Sequence, residues 1–278
     1  MIDVFMPDIH PPKFEHLELL VEGPVARVVM NRPDVHNAFN ALLIQELSEA
    51  FTWIEGHQAI RVAVLEGRGR SFCAGADLSW MRSMAKYSDA ENVRDARQLA
   101  GLFGRIDTCR VPVIGRIHGA AIGGGAGLVA CCDIPIATER AKFAFSEVRL
   151  GIAPAVISPF VMAKIGRGAA RELFVTGSRF KAERALHIGL VNHVVSDEAA
   201  LDEALRETID AILAGAPGAV SACKQLARTV GEMQPKEAFE STARLIAELR
   251  AAPEGQEGMA AFLERRRPNW SPDTGGQT

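Results

Sequence analysis

The spacing of apolar residues changes along the chain, and each change marks an element. His16–Leu20 and Val25–Met30 are short apolar runs separated by Glu22-Gly23-Pro24, which predicts a β-hairpin. From Asn40 the spacing lengthens. Leu43, Leu47 and Phe51 recur at helical intervals behind an asparagine suited to an N-cap. Arg61–Glu66 returns to a strand pattern, and a polar glycine loop, Gly67–Ser71, follows. Val111–Ile117 predicts another strand. It runs into the glycine-rich Gly119–Gly127 and then an apolar helix, Leu128–Cys132. Ile134–Ala137 and Lys142–Phe145 predict further short strands. Strands alternating with helices in this order predict an α/β fold with crossover helices.

Beyond about Asp197 the strand pattern stops. Helical patterns cover Glu198–Leu213, Ala219–Val230, Lys236–Leu249 and Glu257–Arg266, punctuated by Gly215-Ala216-Pro217 and Ala251-Ala252-Pro253. This places a boundary near Ser196, with a core over 14–196 and a helical region over 197–270. The second region is too small to hold a large core alone, so it packs on its own body or on a neighbour. The polar stretch 271–278 predicts a disordered tail.

Composition narrows the class. The chain has 278 residues, 48% hydrophobic and 23% charged, which is ordinary for a globular protein. A net charge of -3 gives no electrostatic reason to expect nucleic acid. The N-terminus lacks the basic and apolar regions of a signal peptide. The most apolar stretch, Ala120–Cys132, is too short and glycine-rich to span a bilayer. A soluble, cytoplasmic protein is expected. Five cysteines, an odd number without a CxxC pair, predict reduced and mostly packed thiols. Seven scattered histidines predict no metal site.

Three segments carry candidate chemistry. Ser71–Leu78 follows a strand and opens into the helix-like Ser79–Met84. Its small residues Ala74, Gly75 and Ala76 permit close approach to the backbone, although a plain tight turn reads the same way. His118–Gly127 also joins a strand to a helix. Its free N–H groups suit developing negative charge. Close helix–strand packing is one rival, and a dinucleotide turn is another, since Gly125-Ala126-Gly127 with Ala130 fits GxGxxA. Glu147 follows an apolar strand and precedes a glycine and proline turn. A carboxylate at the rim of an apolar pocket suits proton transfer, while a solvated surface glutamate is the ordinary alternative. Taken together, two small-residue turns supply converging N–H donors for a thioester oxygen that becomes an enolate, and one carboxylate moves the proton.

These residues resemble the crotonase (enoyl-CoA hydratase/isomerase) family. The likeness rests on Asn31-Arg32-Pro33 with Asn37-Ala38, Cys73–Leu78, His118-Gly119 with Gly123–Gly125, Cys132-Asp133-Ile134, Phe145–Gly151 with Pro154, Gly189–Asn192 with Val194, and Glu257–Arg266. It implies a superhelix of repeated ββα turns, with a C-terminal helical region that makes homotrimers, often paired as hexamers. It implies an acyl-CoA thioester substrate, with coenzyme A as part of that substrate and no separate cofactor. By residue match, the Ala74 and Gly124 N–H groups form the oxyanion hole and Glu147 is the acid/base. Ala38, Ala74, Gly75, Ala76, Asp77, Leu78 and Gly124 line the CoA site. Arg265 or Arg266 reaches the CoA phosphates, unless that arginine run is only a solvated helix end.

The sequence departs from the family pattern at one point. Two-glutamate hydratases carry Gly-Gly-Gly-x-Glu in the glycine turn, and here the last position is Gly127. That keeps open an isomerase working with a single base. Asp77–Met84, Gly127–Asp133 and Ser146–Phe160 resemble bacterial methylglutaconyl-CoA and isohexenylglutaconyl-CoA hydratases of leucine and terpene breakdown. This likeness implies a branched, carboxylate-bearing substrate such as 3-methylglutaconyl-CoA, with room for a β-methyl group beside Gly127 and Arg149 as a candidate counter-charge. A non-catalytic binding protein and a Rossmann oxidoreductase are the lesser alternatives.

Overall fold

A computed structural model describes residues 10–271. The hairpin forms as expected. β1 (Leu17–Glu22) and β2 (Val25–Met30) pair antiparallel around Gly23, which turns at φ +57. In α1 (Ala41–Gly56) the Asn40 side chain accepts the Leu43 N–H at 2.8 Å, and Leu43, Leu47 and Phe51 enter the core.

One pattern then repeats: a strand, a shorter strand and a helix. β3 (Val62–Gly67) leads to β4 (Ser71–Cys73), α2 (Leu78–Met84) and α3 (Asp89–Asp107). β5 (Val113–Ile117) leads to β6 (Ala120–Ile122) and α4 (Gly124–Cys131). β7 (Ile134–Thr138) leads to β8 (Lys142–Ala144), a 3-10 turn over Glu147–Leu150, and α5 (Ser158–Thr176). β9 (Phe180–Lys181), α6 (Ala182–His187) and β10 (His193–Val195) follow. The first strand of each unit joins a six-stranded sheet of order β1-β2-β3-β5-β7-β10. The second strands stack in a four-stranded sheet of order β4-β6-β8-β9. Within each sheet the repeating strands are parallel, as a right-handed spiral of ββα units requires.

The centre of the six-stranded sheet is buried on both faces. Every residue of β3 is buried. Ala63 and Leu65 join the main core with Phe51 and Phe72. Val62 and Val64 join a second cluster with Leu201, Leu205 and Leu213 of α7 (Glu198–Ala214). A strand buried on both sides reads as a continuous apolar run, which is how Arg61–Glu66 looks in sequence. α8 (Pro217–Thr229), α9 (Pro235–Ala251) and α10 (Pro253–Leu263) complete the described chain.

The structure revises several boundaries. The segment Gly119–Gly127, expected to be one turn before a helix at Leu128, holds β6 and the first half of α4. Glycine is a poor helix former, but packing overrides that preference here. A Cβ on Gly125 would stand 2.2 Å from the Cys73 carbonyl oxygen, so only glycine lets α4 lie against β4. The last helix starts at Pro253 and ends at Leu263, so Arg265 and Arg266 lie beyond it, with Arg265 at φ +55. Apart from Ser271, the expected tail falls outside the described residues. Among the described residues, no helix is long and apolar enough to cross a membrane.

Candidate active site

β4, β6 and β8 are neighbours, and both pairings are parallel, so their C-terminal ends lie side by side. The chain leaving them forms Ala74–Ala76, Ile122–Gly124 and Ser146–Glu147. These three segments, distant in sequence, line one cavity of about 470 Å³. Its remaining wall is mostly apolar and includes Trp80, Met81, Met84, Leu99, Val156 and Ile157.

Two backbone N–H groups of these segments have no acceptor among the described residues. The Ala74 N–H donates to the His36 carbonyl at 3.0 Å, so it is not free for a ligand. Two residues on, Ala76 makes a parallel bridge with Phe39. In that bridge the Phe39 N–H donates to the Gly75 carbonyl at 2.7 Å, and the Asp77 N–H donates to the Phe39 carbonyl at 2.8 Å. A parallel bridge engages the groups flanking the bridged residue and leaves that residue's own N–H on the other edge. The Ala76 N–H therefore has no protein acceptor among the described residues. The Gly124 N–H opens α4, has no acceptor in its own helix, and likewise finds none elsewhere among the described residues.

Glu147 stands beside these donors. Its Oε1 lies 3.2 Å from the place a Cβ would take on Gly123, whose φ of +54 also calls for glycine. Its Oε2 is buried without a hydrogen-bond partner. Burial pushes the carboxyl above the ordinary glutamate range, against a weaker opposing effect of its own backbone N–H. Burial pushes the Cys73 thiol up to about 12, which keeps it protonated at neutral pH.

The family described as enoyl-CoA hydratase/isomerase matches residues 21–273. The chain belongs to the enoyl-CoA hydratase/isomerase family. Relatives in this family include a crotonyl-CoA hydratase of Syntrophomonas wolfei, 33% identical over 263 residues that cover 92% of this chain and 98% of the relative. A short-chain-enoyl-CoA hydratase of Clostridium acetobutylicum is 33% identical over 252 residues, covering 88% of this chain and 94% of its own. The crystal structure of an enoyl-CoA hydratase from Shewanella pealeana superposes with a TM-score of 0.90 at 38% identity, over 93% of this chain and 97% of that one.

Seen as a family member, the chain holds some expected site residues together and not others. Ala74, Gly75, Ala76, Gly124 and Glu147 meet at the cavity. Ala38, Asp77, Leu78 and Arg265 are not on its wall. Ala38 is buried, and its carbonyl accepts from Arg32. Asp77 is the N-cap of α2, accepting from Ser79 N at 2.7 Å and pairing with Arg32 at 2.9 Å. Leu78 is 71% exposed. The expected donor role of Ala74 is corrected by its bond to His36, and the free N–H belongs to Ala76.

The Gly127 position is also corrected. The sequence implied open space there, but a Cβ on Gly127 would lie 2.4 Å from Ile157 Cγ2 and 3.2 Å from Phe103 Cε1. Hydrocarbon occupies the place of the absent glutamate. Among residues missed in sequence, Trp80 and Asp95 line the cavity from α2 and α3. A signal for α3 was present, because Ser88 and Glu91 form a capping box ahead of Leu99, Leu102 and Ile106.

Proposed function

We propose that this chain hydrates 2-enoyl-CoA thioesters, with the Ala76 and Gly124 N–H groups holding the thioester oxygen and Glu147 moving the proton. The observation that carries the reading is a buried, unpaired carboxyl beside two free N–H groups in one apolar cavity. Ionised Glu147 takes a proton from water as the water oxygen bonds to the β-carbon. The carbon–carbon π electrons move to the α-carbon and thioester oxygen, where the two N–H donors stabilise the enolate. Protonated Glu147 then gives its proton to the α-carbon and is ionised again. One carboxyl thus serves as base and then acid, and the sum is one water added across the double bond.

Two observations weigh against 3-methylglutaconyl-CoA, the substrate implied by the closer sequence likeness. The space beside Gly127 is filled. Among the described residues no lysine, arginine or histidine lines the cavity, and its ionisable residues, Asp95 and Glu147, are both acidic. Arg149 instead donates to the Gly177 carbonyl at 3.1 Å, at the end of α5. An acyl group without a second negative charge fits this wall better.

The filled Gly127 position also favours a second reading, double-bond migration, in which one base moves a proton between carbons and no water enters. Product analysis separates the two. Incubation of crotonyl-CoA and longer 2-enoyl-CoA thioesters is expected to yield products heavier by one water. Products of unchanged mass with a shifted double bond would replace hydration by isomerisation. In the same assay Ala76→Pro, which deletes an N–H, is expected to lose ~10²–10³-fold in rate while remaining folded by circular dichroism. Near-normal turnover in the folded variant would remove Ala76 from the oxyanion hole.

We also propose that α8–α10 join subunits into a homotrimer or hexamer, and that Arg265 meets CoA only in such an assembly. The support is an exposed apolar surface on α9 and α10, which carry Phe239, Ile246, Phe262 and Leu263.

A further inference from the structure

The cavity that holds Glu147 contains a second pair of polar groups, which hydration does not use. Trp80 on α2 is 8% exposed, and its indole N–H is buried without an acceptor. Asp95 on α3 lines the same cavity. Burial pushes the Asp95 carboxyl above its ordinary range, and the nearby indole N–H acts in the opposite sense. Both groups line one cavity, yet no hydrogen bond of normal geometry closes between them. The adjacent Asn92 turns its amide NH2 to the Tyr87 and Ser88 carbonyls at 3.3 and 3.2 Å, and its oxygen does not accept from the indole. A buried donor left unpaired is costly, and the apolar neighbours Met81, Met84 and Leu99 give it nothing.

We propose that Trp80 Nε1 and Asp95 form a specificity subsite for an uncharged hydroxyl group on the acyl chain of the substrate. This deepens the hydration reading and rests on it. An indole only donates, and an ionised carboxylate only accepts. One atom satisfies both only if it accepts and donates, as a hydroxyl oxygen does. An unsubstituted chain excludes water from both groups and pairs neither. A carboxylate accepts from the indole but then stands beside Asp95, with Glu147 in the same cavity and no cationic side chain on its wall among the described residues.

The test compares 2-enoyl-CoA thioesters of one chain length. One is unsubstituted, a set carries a hydroxyl at successive carbons from γ outward, and one carries a terminal carboxylate. At one hydroxyl position kcat/KM is expected to exceed that of the unsubstituted thioester by about 10–100-fold, the scale of a hydrogen bond to a charged group. That ratio is expected to fall toward one in Trp80→Phe, which keeps the ring and loses the N–H, and in Asp95→Leu. The ratio is the readout, so a general loss of activity in a variant does not decide the question. Binding of the matching saturated acyl-CoA pair, with and without the hydroxyl, reads the subsite without any chemistry. Equal kcat/KM across the hydroxyl set overturns the proposal. So does a ratio unchanged in both folded variants, or a preference for the carboxylate chain. If no thioester is hydrated but the hydroxylated acyl-CoA binds more tightly, the hydration reading fails and the subsite stands.

Discussion

Glu147 has a stability consequence that goes with its chemistry. Burial raises its pKa in the folded chain. Between the ordinary glutamate value of about 4.3 and that raised value, the folded state holds a proton that the unfolded chain has released. Stability from this group therefore falls as pH climbs through that window, and the ionised carboxyl remains a cost above it. Glu147→Gln is expected to raise Tm at neutral pH while lowering turnover by ~10²–10⁴-fold. The base must be ionised to accept a proton, so wild-type kcat/KM is expected to decline on acidification with a midpoint above 4.3. Near-normal turnover in the folded variant would remove Glu147 from the mechanism. The residue type and position were legible in sequence. So was its place at the rim of an apolar pocket, but not the part of Gly123, which makes room for its carboxyl and belongs to another repeat.

Among the elements, α2 shows how a motif residue can serve structure. Asp77 belongs to the Cys73–Leu78 motif, and its match pointed to CoA. Its carboxylate instead caps α2 and pairs with Arg32. Burial acts to raise its pKa, but the Ser79 N–H and Arg32 together hold it below the usual range. This contribution is present above the unfolded Asp value of about 3.9 and is lost as pH falls below it. Asp77→Ala removes the cap and leaves Arg32 without its partner. A loss of about 2 kcal/mol, roughly 5 °C in Tm, is expected. A variant with unchanged Tm and a raised KM would restore the ligand-binding reading. α2 also carries Trp80 and Met81 into the cavity, so the cap sets the shape of the acyl wall.

Across the whole molecule, the C-terminal helices differ from the rest. α9 buries none of its residues. Phe239 is 74% exposed, Phe262 84% and Leu263 80%. Large side chains so exposed on neighbouring helices support the proposed contact between subunits. Light scattering is expected to give three or six times the 30.0 kDa chain mass, and Phe239→Lys with Phe262→Lys to reduce it. A monomer at micromolar concentration would refute the assembly. Sequence by itself determined what is local or periodic: the hairpin around Gly23, α1 behind Asn40, the α/β alternation and the small-residue turns. It also pointed to Glu147, through a motif whose residues are contiguous. Only the tertiary structure decided which N–H groups are free, because that depends on whether His36 or Phe39 lies opposite each turn. It also decided that Ile157 and Phe103 fill the place beside Gly127. Periodicity reports which face of an element is apolar. It does not report which distant carbonyl or side chain comes to rest against that face, and at this site those partners separate a donor from a structural N–H and an open space from a filled one.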